Sequence, residues 1–320
     1  MTHDTADTPG GLLVQRAAAL VPLLRRYAPE GERARRVPRD VLDALSEAGV
    51  FKMMAPRRFG GFEADFQTQC DVLAHIARGC PSTSWIATIY SAMGWLAAAF
   101  PDEAQEELLG DGDPRISGVF SPTGTAVATD GGLVVNGRWA YNTGGFGSKW
   151  TVLNAMSDGG AGVPTCVIVR SDELRSLDDW NASGMAATGS STVIADNIFV
   201  PAHRALPLPA MLEGRYPQRA NGSNPYFNYP LAPVLTVNAA GMPIGTARGA
   251  LELFQERLPG RQITYTDYTN QAAAPVTHLQ LGEAALTIDS ADAHTRRACA
   301  ILDEPRDQPF TTLERVRARA

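Results

Sequence analysis

A glycine-rich segment at residues 137–145 concentrates groups that could hold a ligand closely; it reads Gly-Arg-Trp-Ala-Tyr-Asn-Thr-Gly-Gly. Thr143 supplies a hydroxyl, and the glycines after it remove side chains that would keep a ligand away from the backbone amides. Upstream, Ser121, Gly124 and Thr125 supply two more hydroxyls and a second point of small volume. The same residue types also serve in ordinary strands and turns, so both interpretations stay open at this point.

Aromatic and sulfur-containing side chains could form a wall beside such a ligand. The run at 83–100 is apolar nearly all round, which predicts a buried helix rather than a surface helix. A wall of this kind would exclude water from a reactive bound group. The alternative is that these side chains only build the core. The candidate pocket residues are Trp85, Tyr90, Met93, Tyr226 and Phe227.

The rest of the sequence predicts the elements that position these residues. Apolar residues recur at helical spacing over the first hundred residues and again after Pro201, whereas the region between has short runs of Val, Ile, Thr and Trp separated by glycines. This order predicts an α+β fold with a helical domain at 1–113, an antiparallel β domain at 114–203 and a helical domain at 204–320. The predicted turns of the β domain are Asp130-Gly131-Gly132 and Asp158-Gly159-Gly160. The main predicted helices are 66–77, 83–100, 231–257 and 276–302, and the predicted strands are 116–120, 133–139, 150–156, 165–170 and 193–199.

Composition argues against several functional classes. The chain has 320 residues, of which 44% are hydrophobic and 19% charged, as in a globular protein. A net charge of −6 without a long basic run predicts no nucleic-acid partner. No apolar run is long enough for a transmembrane helix, so we expect no membrane partner. Four scattered cysteines with no CxxC pair and no signal peptide predict a cytoplasmic protein without a metal site.

Five segments, in order, resemble the acyl-CoA dehydrogenase superfamily. Any one of these motifs is weak, but five in order on matching predicted elements are fairly specific. The resemblance covers nearly the whole chain, from about residue 12 onward. The segments are the strap 50–61 with its Pro56 and Gly60-Gly61, the loop 118–126, the strand 137–145 followed by Trp150, the stretch 180–190, and Phe199-Val200-Pro201 with Arg204.

Within this superfamily, Gly137-Arg138-Trp139-x-Tyr141-x-Thr143-Gly144 is closer to the flavin-dependent monooxygenase branch. That branch includes the oxygenase components of p-hydroxyphenylacetate hydroxylase and of polyketide-tailoring hydroxylases. The resemblance implies a two-component enzyme: a separate flavin reductase supplies reduced FMN or FAD, and the oxygenase uses it with O2. A C4a-hydroperoxyflavin would then hydroxylate a small aromatic or polyketide-like substrate. The resemblance also implies a helical N-terminal domain, a central antiparallel β-barrel, an incomplete C-terminal helical bundle and a homotetramer.

The resemblance assigns roles to single residues. Thr143 matches a position near flavin N5, where a hydroxyl can delay the loss of peroxide. Arg261 and Gln271 match residues that reach the flavin's phosphate arm in a neighbouring subunit, and the planar fork of arginine suits phosphate. The expected cofactor-binding residues are Phe120, Ser121, Gly124, Thr125, Tyr141, Asn142, Thr143, Gly144, Arg261 and Gln271.

Departures from the family keep other functions open. An acyl-CoA dehydrogenase needs a glutamate base. In a minority of members it lies on the helix that matches 226–251, and that segment has no Asp or Glu, with Leu235 at the expected place. The monooxygenase branch often has a histidine where this chain has Ser-Ala-Met-Gly at 91–94, and members typically continue for two more helices. The alternatives are an acyl-CoA dehydrogenase with FAD and a CoA thioester, an N-oxygenase of amino sugars, and an inactive truncated member that acts as a binding partner.

Overall fold

The computed structural model describes residues 8–157, 162–221, 224–304 and 310–318. The first helices are α1 (Pro9–Ala19), α2 (Val21–Ala34), α3 (Arg39–Glu47), α4 (Phe66–Gly79), α5 (Pro81–Ala97) and α6 (Asp102–Leu109). The strands are β1 (Ile116–Thr129), β2 (Gly132–Trp139), β3 (Trp150–Ser157), β4 (Pro164–Arg170), β5 (Arg175–Ser176), β6 (Val193–Pro201) and β7 (Ala205–Pro207). The last helices are α7 (Leu208–Leu212), α8 (Leu231–Arg257), α9 (Pro275–Asp303) and α10 (Thr312–Arg317).

The helical core forms where α5 and α8 pack around α4. Glycine permits this close approach, because a Cβ on Gly241 or Gly245 of α8 would lie 2.4 or 2.1 Å from a backbone oxygen of α4. The predicted burial of α5 is confirmed, and its polar groups are satisfied locally. The hydroxyl of Ser84 donates to the carbonyl of Leu73 over 2.8 Å, and that of Thr88 donates to the carbonyl of Ser84 over 2.9 Å. A helix with hydrogen-bonded hydroxyls can be buried on all sides without leaving unpaired polar groups.

The seven strands form one sheet in the order β5-β6-β2-β1-β3-β4-β7. The predicted α+β layout is confirmed, but two details of the β domain are wrong. β1 pairs with β3 in parallel, so the sheet is mixed, and in the part of the chain described here its two edges, β5 and β7, do not pair to close a barrel. The pair is parallel because β2 runs back along β1, and the chain then crosses through residues 140–149 to start β3 beside the first residues of β1. The predicted turn at 130–132 joins β1 to β2, whereas the one at 158–160 lies outside the described residues.

Trp139 fills the interior of the sheet beside two paired glycines. Gly124 of β1 lies opposite Gly137 of β2, and a Cβ on Gly124 would lie only 2.1 Å from the indole of Trp139. The indole nitrogen donates to the carbonyl of Asn154 over 2.8 Å. The indole therefore occupies the space beside Gly124 on this side of the strand, and the contact of Gly124 with a ligand stays a prediction.

The element boundaries follow the sequence pattern closely in the helical regions. α8 spans the predicted 231–257, and α9 exceeds its prediction by one residue at each end. β7 extends the sheet to residue 207, beyond the predicted domain boundary at 203; the three domain ranges themselves stay predictions. No helix within the described ranges is both long and apolar enough to cross a bilayer.

Candidate functional site

The chain leaves β2 through a tight turn at residues 141–145, which is the centre of the candidate site. Tyr141 adopts a left-handed backbone conformation with φ of +66°, and its side chain is 70% exposed. A non-glycine residue in this region costs about 1–2 kcal/mol, so neighbouring contacts must hold it there. The amide of Asn142 donates to the carbonyl of Ser191, and that of Gly144 to the carbonyl of Thr188, over 3.1 and 3.0 Å. The loop at 188–191 therefore fixes the turn.

The backbone amides of this turn are fully used within the protein. Besides the two bonds to the 188–191 loop, the amide of Thr143 donates to the carbonyl of Tyr141, and that of Gly145 donates to the carbonyl of Asn142. The expectation that these amides could bind a ligand is therefore wrong, because each donor already has an internal acceptor. What the turn can offer a ligand is side chains: the ring of Tyr141, the amide of Asn142 and the hydroxyl of Thr143.

Tyr90 of α5 packs against the turn and anchors it by a hydrogen bond to Gly144. Its ring is fully buried against Phe51, at a centroid distance of 5.2 Å, and its hydroxyl donates to the carbonyl of Gly144 over 2.5 Å. Burial raises the pKa of Tyr90 well above its usual value, so the phenol keeps the proton that it donates. A Cβ on Gly144 would lie 3.0 Å from this ring, and its φ is +69°, so only glycine suits the position.

Replacing Tyr90 by phenylalanine should destabilise the protein. The ring is kept, but the carbonyl of Gly144 loses its buried donor, which costs about 1–2 kcal/mol. The free energy of unfolding in urea would measure this loss. Tyr265→Phe is the control, since Tyr265 is fully exposed and its substitution should leave that free energy unchanged; equal values for wild type and Y90F would show that the Tyr90 bond contributes nothing.

The hydroxyl of Thr143 points into a buried group of hydroxyls. Its Oγ1 lies 2.8 Å from Oγ of Ser190, which lies 2.7 Å from Oγ1 of Thr188. All three side chains are buried. No sequence pattern predicts this cluster, because Ser190 is 47 residues away from Thr143.

A cleft of about 490 Å³ opens beside the turn. Asn142 lines it and is 3% exposed, and its Oδ1 is buried without a hydrogen-bond partner among the described residues. A buried unpaired acceptor is uncommon and indicates a missing donor. The lining residues are Ala34, Arg35, Arg36, Asn142, Gly145, Phe146, Ser176, Leu177, Asp178, Trp180, Gly189 and Ser191.

Arg35 and Trp180 form the mouth of this cleft. Arg35 donates to the carbonyl of Trp180 over 2.9 Å and to the carboxylate of Asp178 over 3.1 Å. The indole nitrogen of Trp180 donates to the carbonyl of Ala186 over 3.0 Å. These bonds hold the indole edge-on to the exposed ring of Tyr141, with a centroid distance of 6.1 Å. The cleft thus combines fixed aromatic rings with an unpaired acceptor, which suits a flat ligand that carries an N–H or O–H donor.

Comparison with known proteins identifies the family. Residues 17–109 match the acyl-CoA dehydrogenase N-terminal domain, and residues 237–320 match the acyl-CoA dehydrogenase C-terminal domain. The HsaA oxygenase subunit of a flavin-dependent monooxygenase from Rhodococcus jostii (strain RHA1) is 32% identical, over 96% of this chain and 81% of that protein. The chain belongs to this family of flavin-dependent monooxygenase oxygenase components.

Two further relatives support the same assignment. The oxygenase component of an FADH(2)-dependent resorcinol hydroxylase from Rhizobium sp. (strain MTP-10005) is 33% identical, over 87% of this chain and 70% of that protein. The structure of XiaF from Streptomyces sp., in complex with FADH2 and glycerol, superimposes with a TM-score of 0.86 at 31% identity, over 97% of this chain and 80% of that chain. The predicted family and the predicted acyl-CoA dehydrogenase-like fold are therefore confirmed.

The remaining residues that the monooxygenase resemblance assigned to flavin lie in two places. Ser121 and Thr125 are exposed on β1, and the hydroxyl of Thr125 lies 3.5 Å from the carbonyl of Asn136. Phe120 is half-buried, and its carbonyl accepts a 2.8 Å bond from the side chain of Asn154. These residues lie on β1, which pairs with β2, and the 141–145 turn follows the end of β2. Their contact with flavin stays a prediction.

Arg261 and Gln271 come together, but in the loop between α8 and α9. The amide of Gln271 donates to the carbonyl of Arg261 over 2.7 Å. The arginine side chain is exposed, as a residue that reaches another subunit would be. Their role at a phosphate stays a prediction.

The five candidate pocket residues lie at different depths and at different points on or beside α5. Tyr90, Met93 and Phe227 are at most 1% exposed, so they face the core. Tyr226 lies at the far end of α5, where its carbonyl accepts from the indole of Trp95 over 2.9 Å. At 1.5 Å per residue, Trp85 is about 15 Å from Trp95 along the helix. Trp85 is half-buried and stays a candidate wall residue, and a substrate pocket shared by this helix and the 226–227 aromatics stays a prediction.

A second polar cluster lies where α6 meets the residues that follow β6. Glu103, Glu107 and His203 place ligand-type atoms within 4.8 Å of one another. His203 lies 2.8 Å from the carboxylate of Glu107, and Arg204 lies 3.4 Å from the same carboxylate. The Arg204 guanidinium neutralises the Glu107 carboxylate that a metal ion would need as a ligand. We therefore interpret the cluster as an ion-pair contact between α6 and the residues after β6.

Proposed function

We propose that this chain is the oxygenase component of a two-component monooxygenase, which binds reduced FMN or FAD at the 141–145 turn and uses it with O2 to hydroxylate a small aromatic substrate. The observation that carries the proposal is a cleft of about 490 Å³ lined by Asn142, whose Oδ1 has no partner among the described residues, with the hydroxyl of Thr143 at the next position in the chain. The relatives support it, because their names specify reduced flavin and aromatic substrates.

The residues of the cleft fit the polar edge of a flavin. An isoalloxazine is flat and carries an N–H donor at N3, which Asn142 Oδ1 could accept in place of its missing partner. A cleft of about 490 Å³ is within the usual range of about 300–1,000 Å³ for ligand pockets. The exposed ring of Tyr141 and the indole of Trp180 offer aromatic contact to a flat group.

The chain's own residues would bind and shelter the flavin, which supplies the oxygen activation when bound. Thr143 would offer a hydroxyl to the edge of the flavin. Tyr90 keeps the turn in place by its bond to Gly144. The α5 helix packs against the turn and would exclude water from that side, since most of its residues are buried. A dry site of this kind suppresses the unproductive loss of peroxide.

The acyl-CoA dehydrogenase alternative lacks support on α8. The first acidic residue of that helix is Glu252, and its carboxylate is occupied by Arg25 and Arg78 at 2.6 and 2.7 Å. Leu235, at the position expected for a base, is half-buried and packs on the core. A base that removes a proton from a thioester must be a free carboxylate near the flavin. N-hydroxylation of amino sugars and a binding role without catalysis stay alternatives that the experiment below separates.

We further propose a flavin reductase as the partner component, the cytosol as the location, and a homotetramer as the active assembly. The name "oxygenase component" in the relatives supports the reductase, and scattered cysteines without CxxC pairs support a reducing compartment. Exposed leucines on α9 support the assembly: Leu279 is 74% and Leu286 is 68% exposed. They lie on the same face of the helix, about two turns apart. A second copy would cover this apolar face.

Equilibrium titration with flavins tests the proposed function. We expect the protein to bind FMNH2 or FADH2 under anaerobic conditions and then, with O2, to convert a phenol such as resorcinol to a hydroxylated product. Bleaching of bound oxidised FAD by an acyl-CoA thioester would instead support the dehydrogenase, and turnover of an amino sugar would support the N-oxygenase. Failure to bind any flavin in either oxidation state would overturn the proposal and leave the non-catalytic alternative.

A further inference from the structure

A chain of three buried hydroxyls connects Thr143 to the protein interior. From Thr143 through Ser190 to Thr188, the oxygen–oxygen distances are 2.8 and 2.7 Å. The three side chains are 6%, 5% and 1% exposed in that order. Thr188 is therefore the most buried of the three, whereas Thr143 directly follows Asn142, which lines the cleft.

The number of protons decides the direction of these hydrogen bonds. Three hydroxyls carry three protons, and the two bonds use two of them. Among the described residues, Ser190 is the one hydrogen-bond partner of the Thr188 hydroxyl. If the Thr143 hydroxyl donated to Ser190, the unused proton would be left on Ser190 or Thr188. An unpaired buried donor of this kind costs about 1–3 kcal/mol. If Thr188 donates to Ser190 and Ser190 donates to Thr143, the unused proton lies on Thr143, where a ligand can accept it.

We propose that Ser190 and Thr188 are positioning residues that fix the direction of the Thr143 hydroxyl. Thr143 then accepts from Ser190 and keeps its proton and one lone pair for the bound group. This inference rests on the proposed function, in which that group is a flavin. N5 accepts a hydrogen bond in oxidised flavin and carries a hydrogen in reduced flavin, so a hydroxyl with both a donor and an acceptor free can serve both forms.

Thr188→Val tests the proposal because valine keeps the shape of threonine and removes only the hydroxyl. We expect the dissociation constants of oxidised and anaerobically reduced FMN and FAD, measured by flavin fluorescence, to rise about fivefold, which corresponds to a hydrogen bond of about 1 kcal/mol. Thr188→Ser keeps the hydroxyl and should keep the wild-type values. Thr151→Val is the matched control, since Thr151 belongs to a separate buried hydroxyl group with Ser117 and Ser171.

A double-mutant cycle separates positioning from general support of the fold. In the Thr143→Val background, Thr188→Val should have no further effect on flavin affinity, because the residue through which it acts is gone. The same fivefold loss in both backgrounds, or no loss in either, would overturn the inference. Wild-type protein that binds no flavin would overturn the proposed function and this inference with it. If the Thr188→Val protein does not show a cooperative thermal transition by circular dichroism, Ser190→Ala takes its place in the cycle, with the same expected outcomes.

Discussion

Replacing Thr143 by valine should release hydrogen peroxide about 10²-fold faster when the protein, loaded with reduced flavin, is mixed with O2 in the absence of substrate. Removing one positioned hydrogen-bond group from a reacting centre typically changes a rate by about 10²–10³-fold. Valine has nearly the volume of threonine, so the buried site around residue 143 should keep its packing while the hydroxyl is lost. A stopped-flow peroxide assay with a peroxidase and a fluorogenic dye measures the release.

The control for this measurement is again Thr151→Val. Thr151 is fully buried on β3, and among the described residues its hydroxyl bonds to the hydroxyls of Ser117 and Ser171. Its peroxide release should equal that of the wild type. Equal release by the Thr143→Val protein would show that this hydroxyl does not contact the reacting part of the flavin. The flavin would then have to lie elsewhere along the sheet, for example over Ser121 and Thr125.

Replacing Trp139 by alanine should lower the free energy of unfolding by about 3–5 kcal/mol, the usual range for truncating a buried aromatic residue. The indole is fully buried and fills the space that Gly124 and Gly137 leave open, so its removal creates a cavity that two glycines cannot close. The carbonyl of Asn154 also loses the indole donor at 2.8 Å. Urea unfolding followed by circular dichroism measures the change.

Phe199→Ala is the control for this loss, because Phe199 lies on β6 of the same sheet and is 48% exposed. Substitutions at exposed positions usually change stability by no more than about 0.5 kcal/mol. Trp139→Phe should have an intermediate effect, since it keeps much of the volume and loses the bond to Asn154. A Trp139→Ala protein as stable as Phe199→Ala would show that the sheet collapses around the missing indole, and that Gly124 and Gly137 do not depend on it.

The sequence by itself determined the main helices, five of the seven strands and the family, but not β5, β7 or the full length of β1. Helical periodicity and capping are local, so α8 begins and ends at the predicted residues, 231–257. The apolar pattern at 83–100 likewise predicted the burial of α5, because a helix with no polar face has to be covered on all sides. The monooxygenase motif at 137–144 pointed to the turn that lies beside the cleft, since its glycines and hydroxyl are adjacent in the chain.

Only the tertiary structure decided what these residues contact. The indole of Trp139 fills the space beside Gly124. The backbone amides of 142–145 donate to carbonyls of the 188–191 loop and of the turn itself. The hydroxyl chain and the Tyr90 anchor join residues 47 and 54 positions apart. Such contacts depend on strand register and on how helix and sheet pack, which are set by the whole core rather than by local spacing. A sequence pattern can therefore name the turn but not the partners that fix it.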